Sequence, residues 1–299
     1  MSPPRSSSSR SDVVSISRRS VVLSPGGIGI GGNNASGLGL LTNEDNIRVH
    51  CRLRPLSLKE KAQGGTECLS VSETNTEIEI ITPNNNYGPV VEVFSFHRVF
   101  DADTSQEEIF NETAEPLIEN LFAGYNATIL AYGQTGSGKT HTMYGSNCSG
   151  NTLDGMGIDP DCGIIPRTTR ALFSRMNNKE KMGQDAMTFT LKVSFIEIYN
   201  EAIRDLFDDR GKKGSSLQTR EDPLTGEFIV LDVTELLITS SEELLQLMER
   251  GSKNRAVGVT NMNEKSSRSH SLFSITLLQE NPAQHTSISS KVIRVTPLK

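Results

Sequence analysis

The chain has 299 residues, 35% hydrophobic and 22% charged, with a net charge of −6. That length suits one large domain or two small ones, and the acidic balance argues against a broad nucleic-acid footprint. No apolar run approaches the roughly 20 residues of a membrane-spanning helix, and four cysteines with no CxxC pair disfavour zinc and redox motifs and predict reduced thiols in the cytoplasm.

Residues 1–45 stand apart. Ten of the first 24 are serine, and Gly26 to Gly39 is rich in glycine, asparagine and serine. Such a stretch buries too little apolar surface to offset its ordering entropy, which predicts a disordered tail. Its sharper alternative is a phosphorylated or anion-binding arm around Arg18-Arg19-Ser20. From residue 46 the pattern changes, and residues 46–299 read as one domain. Ile47, Val49, Cys51 and Leu53 alternate with Arg48, His50, Arg52 and Arg54, a strand ended by Pro55. Taken alone, Arg52 and Arg54 read as the wet face of an edge strand. Val90 to Phe100 is a second strand-like run. Ser105-Gln106-Glu107-Glu108 is a capping box. Behind it Phe110, Ala114, Leu117 and Leu121 form a helix face that Pro116 is expected to kink.

Thr128 to Tyr132 is a short apolar strand, followed by a glycine loop and a helix from about Gly138. Ser146 to Pro166 reads as a surface insertion, with a helix from about Thr168 to Met176. Phe189, Leu191, Val193 and Phe195 alternate as a strand, and Tyr199 to Phe207 is compatible with a short helix. Glu227 to Val233 reads as a strand. Ser240-Ser241-Glu242-Glu243 caps another helix, with Gly251 as its stop. Leu272 to Leu278 is strand-like again. Strands alternating with helices predict an α/β fold with helices on both faces of a sheet.

The chemistry concentrates in Gly133-Gln134-Thr135-Gly136-Ser137-Gly138-Lys139-Thr140. This G-x-x-x-x-G-K-[ST] spacing, between an apolar strand and a helix, is that of a phosphate-binding loop. Glycines let backbone N–H groups converge on an anion. Lys139 is placed to reach the β- and γ-phosphates, and Thr140 to offer a hydroxyl to Mg²⁺. The plain alternative is a glycine-rich turn. Further on, Asn261-Met262-Asn263-Glu264-Lys265-Ser266-Ser267-Arg268-Ser269-His270 is either a solvated loop or one that orders around a γ-phosphate and its metal. Its spacing does not separate the two.

AYGQTGSGKTHTM and NMNEKSSRSHSLFSI together resemble the phosphate loop and first switch of the kinesin motor domain. Five more motifs lie in the family's order: Arg52-Leu53-Arg54-Pro55, Phe96-His97-Arg98-Val99-Phe100-Asp101, Gly124-Tyr125-Asn126-Ala127-Thr128, Gly163-Ile164-Ile165-Pro166-Arg167, and Ser194 to Glu201. His97 departs from the usual Asp. The resemblance covers about residues 46–295 and implies a P-loop NTPase fold of the kinesin type, with ATP and Mg²⁺ as ligands and the microtubule as partner. It implies that Arg52, Arg54, Pro55 and His141 border the adenine. Gly133 to Thr140 would hold the phosphates, and Thr140 and Ser267 would flank Mg²⁺. Asn263 and Ser266 would contact the γ-phosphate or its water, and Arg268 would close the site through an ion pair. The carboxylate for that pair sits in a DLAGSE motif in the family, and no D-x-x-G follows Arg268 here. The sequence reading therefore expects a motor domain cut short before its second switch. It keeps open an ATP-binding module without turnover, or a fragment acting through its tail.

Overall fold

The computed structural model describes residues 13–17, 47–65, 68–82, 88–146, 159–181, 187–208, 216–223, 226, 228–257, 269–281 and 286–296. In chain order the elements are β1 (Val13–Ser17), β2 (Val49–Leu53), α1 (Leu58–Ala62), β3 (Leu69–Val71), β4 (Glu77–Thr82), β5 (Val90–Ser95), β6 (Arg98–Phe100), α2 (Gln106–Thr113), α3 (Glu115–Phe122), β7 (Ala127–Leu130), α4 (Lys139–Met143), α5 (Ile164–Lys181), β8 (Thr188–Tyr199), β9 (Ala202–Asp205), β10 (Thr219–Glu221), β11 (Phe228–Val230), β12 (Leu236–Ile238), α6 (Ser241–Val257), β13 (Ser269–Asn281) and β14 (Thr286–Thr296).

The main sheet has six strands, ordered β12-β8-β13-β14-β7, with β9 paired to β8. The long strands β8, β13 and β14 pair antiparallel, whereas β14 runs parallel to β7. Residues directly opposite in register share a face: Phe195 with Phe273, Val193 with Ile275, Leu191 with Leu277. All six are buried. Onto this face pack the helices. The Phe122 ring of α3 meets Phe189 edge-on at 5.9 Å, and Gln279 Nε2 donates to the Phe122 carbonyl at 3.0 Å. At the other end α6 sits against Phe195, and α5 packs between α3 and α6. Among the described residues α3, α5 and α6 thus share one face. On the opposite face Thr190, Lys192, Leu272, Thr276 and Leu278 are half-buried, while Ser194, Ile196 and Ser274 are buried.

Beside the main sheet, β2 pairs parallel with β6, and β3, β4 and β5 form an antiparallel sheet. Cys51, Ile78 and Val99 bury a second, smaller core between them. Within the stretch expected to be a tail, residues 13–17 form β1, antiparallel to β2. Three β-branched residues among its five suit an extended strand. The rest of residues 1–45 lies outside the described residues.

Several local expectations change. Pro116 does more than kink a helix: the run splits at Ala114 into α2 and α3, with the proline in the first turn of α3, where no N–H is needed. The segment after Tyr199 is the hairpin β8–β9, not a helix. Asn200 and Glu201 have φ of 49° and 63°, the positive pair of a two-residue hairpin turn. Helix α5 begins at Ile164, four residues before the expected start, because Ile164 and Ile165 are core residues. Cys162 is disulfide-bonded, against the expectation of reduced thiols throughout. Gly251 does not stop α6, which runs on to Val257. A Cβ at Gly251 would lie 2.4 Å from Phe195 Cδ1, so the glycine lets helix and sheet approach.

Two outcomes follow. Gly251→Ala gains helix propensity of about 1 kcal/mol but overpacks a core ring, a cost of about 1–3 kcal/mol. The urea unfolding midpoint is expected to fall, and an unchanged or raised midpoint contradicts the close approach. Burial pushes the Cys51 thiol up to about 12, and Cys68 is half-buried. Iodoacetamide under native, mildly alkaline conditions should label Cys68 ahead of Cys51, read by peptide mass spectrometry.

Candidate functional site

The loop after β7 leads directly into α4. Gly136 and Gly138 have φ of 81° and 94°, a left-handed backbone that a side chain would strain, and Gly138 is the N-cap of α4. Lys139, the first residue of α4, is buried. Its Nζ donates to the carbonyls of Gly133 at 2.6 Å and Gln134 at 2.7 Å, so the lysine ties the loop to itself. Burial lowers its pKa. Ser137 is fully buried, and its Oγ has no hydrogen-bond partner. A buried hydroxyl without a partner costs about 1–3 kcal/mol, and an anion seated in the loop would supply an acceptor. Gln134, Thr135 and Thr140 are exposed. The residues present therefore suit a phosphate ligand.

A cavity of about 260 Å³ adjoins Ser137 and Gly138. Arg52, Arg54, Pro55 and His141 all line it. The wet-strand reading of Arg52 fails: the residue is 8% exposed. Its Nη1 donates to Thr142 Oγ1 at 2.8 Å and to Gln106 Oε1 at 3.1 Å. Desolvation pushes the guanidinium down to about 10, which leaves it charged at neutral pH. Among the described residues no carboxylate lies within salt-bridge distance of it. Arg54, by contrast, is spent on α1. It holds Glu60 through two oxygens, at 2.8 and 2.6 Å, and these bonds with those from Ser57 hold the carboxyl well below the usual range. Its aliphatic stem is what remains to face the cavity.

His141 sits at the mouth, with Nδ1 3.0 Å from Ser146 Oγ. Desolvation first, and the Arg52 charge second, lower its pKa and favour the neutral ring. The floor comes from the far side of the insertion. Gly163 N donates to Tyr144 O, and Gly145 bridges Cys162, so residues 159–163 return beside α4. Arg167 pins them, donating to Cys162 O at 2.8 Å and Pro160 O at 3.0 Å, and Asp161 lines the cavity.

Sequence reasoning missed Gln106, Thr142 and Asp161. Gln106 was read only as part of a helix cap, and nothing local marks it otherwise. Asn263, Ser266, Ser267 and Arg268 lie outside the described residues. The described residues on either side of that segment are linked. Arg255, in the last turn of α6, donates to Ser269 Oγ at 3.0 Å and pairs with buried Glu197 at 3.4 Å.

Comparison with known proteins agrees with this geometry. Residues 52–296 match the kinesin motor domain family. The chain is 40% identical over 233 residues to the mouse chromosome-associated kinesin KIF4, covering 78% of this chain and 17% of that protein. It is 39% identical to kinesin-related protein 3 of Dictyostelium discoideum, covering 79% and 18%. The solved structure of a fast kinesin superposes with a TM-score of 0.70 at 33% identity, covering 83% of this chain and 64% of that one. The chain thus spans less than a fifth of the length of each of these two curated relatives. A glycine-rich loop between an apolar strand and a helix, a cavity beside it and a family match across most of the residues agree: this chain belongs to the kinesin motor domain family, with that family's P-loop NTPase fold.

Proposed function

We propose that this domain binds Mg²⁺–ATP and serves ATP hydrolysis coupled to movement along microtubules. One observation carries the nucleotide part: the cavity lined by Arg52, Pro55 and His141 runs into the phosphate loop at Ser137 and Gly138. Its volume, just below the ~300–1,000 Å³ of small-molecule pockets, suits a base whose phosphates lie outside on the loop. Pro55 and the Arg54 stem offer a flat apolar wall, and the Arg52 cation, whose partners among the described residues are neutral acceptors, adds positive potential.

In this reading Lys139 exchanges its bonds to Gly133 and Gln134 for the β- and γ-phosphates. Gly133, Gln134, Thr135, Gly136, Ser137 and Gly138 cradle them through backbone N–H groups and the Ser137 hydroxyl. Thr140 and Ser267 hold the metal. Asn263 and Ser266 orient the attacking water, and Arg268 closes the loop over it. Bound Mg²⁺ offsets negative charge on the phosphates, and catalysis by the chain's own residues is then mainly positioning. The partner surface would be the acidic face of tubulin, read by a local basic patch despite the net −6. Such a protein works in the cytoplasm on the microtubule cytoskeleton.

Titration with a fluorescent ATP analogue in Mg²⁺ tests the binding step. The chain should bind saturably, and Lys139→Ala should bind roughly 10- to 100-fold more weakly, the loss of one or two charge-assisted hydrogen bonds. No binding by the unsubstituted chain, or full affinity in Lys139→Ala, overturns the reading.

A further inference from the structure

Gln106 occupies a position no motif explains. It opens α2, is 5% exposed, and spends its whole amide on the walls of the cavity. Its Oε1 accepts from Arg52 Nη1 at 3.1 Å. Its Nε2 donates to the His141 carbonyl at 2.7 Å, lies 3.2 Å from His141 Nε2, and reaches the Asp161 carbonyl at 3.5 Å. One side chain on α2 therefore joins β2, α4 and the 159–163 segment.

The amide can sit only one way round. Arginine has donors and no acceptor, and a backbone carbonyl has acceptors and no donor. Flipping Gln106 would set its NH₂ against the guanidinium and its oxygen against the His141 carbonyl, two repulsive contacts in place of two bonds. With the NH₂ facing His141, the ring's Nε2 must present a lone pair. The ring proton is then on Nδ1, directed at Ser146 Oγ 3.0 Å away. Both ring nitrogens are held, and so is the ring plane. Gln106 is itself anchored at the helix start, where Ser105 Oγ accepts from Glu108 N at 3.1 Å.

We propose that Gln106 is a positioning residue for the nucleotide base: it fixes Arg52 and His141, two lining residues of the cavity, so the base meets a pre-set slot. The inference rests on the ATP reading above. It predicts a division of labour. The phosphate loop would bind the triphosphate by itself, and the Gln106 clamp would add the contribution of the base. If Gln106 merely satisfied a buried arginine, replacing it would perturb all ligands alike.

The test compares Mg²⁺–ATP with Mg²⁺–tripolyphosphate, which keeps the phosphates and lacks the base, by calorimetry on the full chain. In Gln106→Met, ATP should bind about tenfold more weakly, the worth of one buried hydrogen bond, with tripolyphosphate affinity unchanged. Gln106→Glu keeps the acceptor for Arg52, so it protects the fold, but it cannot donate to the His141 carbonyl. Its added negative charge weakens both polyanions somewhat, so the expected result is an ATP loss clearly larger than the tripolyphosphate loss. Nitrogen-15 NMR of the ligand-free protein should report His141 as the Nδ1–H tautomer, and in both variants that signature should be lost. Equal weakening of both ligands, no weakening of either, or an Nε2–H ring in the unsubstituted chain overturns the proposal. Binding of neither ligand by the unsubstituted chain removes the ATP reading and this inference together.

Discussion

A buried guanidinium whose partners among the described residues are neutral governs the phosphate-loop end of this fold. Arg52 is carried inward by β2, where strand alternation alone would put it in water. It is retained there because Gln106 and Thr142 supply two acceptors. Hydrogen bonds to a charged group are worth about 1.5–3 kcal/mol each, set against a desolvation penalty of several kcal/mol for the ion. Because its partners lie on α2 and α4, the charge locks three elements that sequence distance would leave independent. It also places a positive charge beside the phosphate loop, with Asp161 as the carboxylate lining the same cavity.

The rest of the architecture holds that constellation in place. The parallel pairing of β14 with β7 fixes the strand that launches the phosphate loop. The layer α3–α5–α6 presses on the aromatic face built by Phe195 and Phe273. Where α6 needs to come closer than a methyl group allows, Gly251 permits it. At the C-terminal end of the same helix, Arg255 meets both Glu197 on β8 and Ser269 on β13. It thereby holds together the two ends of the segment that carries Asn263, Ser266, Ser267 and Arg268. The Lys139 bonds to its own loop are a smaller version of this logic, since carbonyl oxygens hold the ammonium where phosphate oxygens would.

Legibility in the sequence followed chain distance. The phosphate loop was readable because its chemistry needs glycines, a lysine and a hydroxyl within eight consecutive residues. The strands β2, β8 and β13 were readable because a half-buried strand repeats every two residues. Gln106 was not, because its role is made by partners 35 and 54 residues away. Gly251 was misread because glycine is local punctuation, while its reason here is a ring on another strand. The β8–β9 hairpin was misread because Glu201 does not announce a positive φ, although Asn200 readily adopts one, and the short run after them has no period long enough to separate helix from strand. Arg52 shows the converse: the motif gave its place and the burial gave its physics.

Photolabelling with an azido-substituted ATP in the presence of Mg²⁺, followed by peptide mass spectrometry, tests the account most directly. The label should fall on the strand end from Arg52 to Pro55 or on the His141 peptide, and excess unlabelled ATP should protect both. Labelling confined to other segments, or labelling that ATP does not compete, would show that the cavity bordered by Arg52, Gln106 and His141 is not where the base resides.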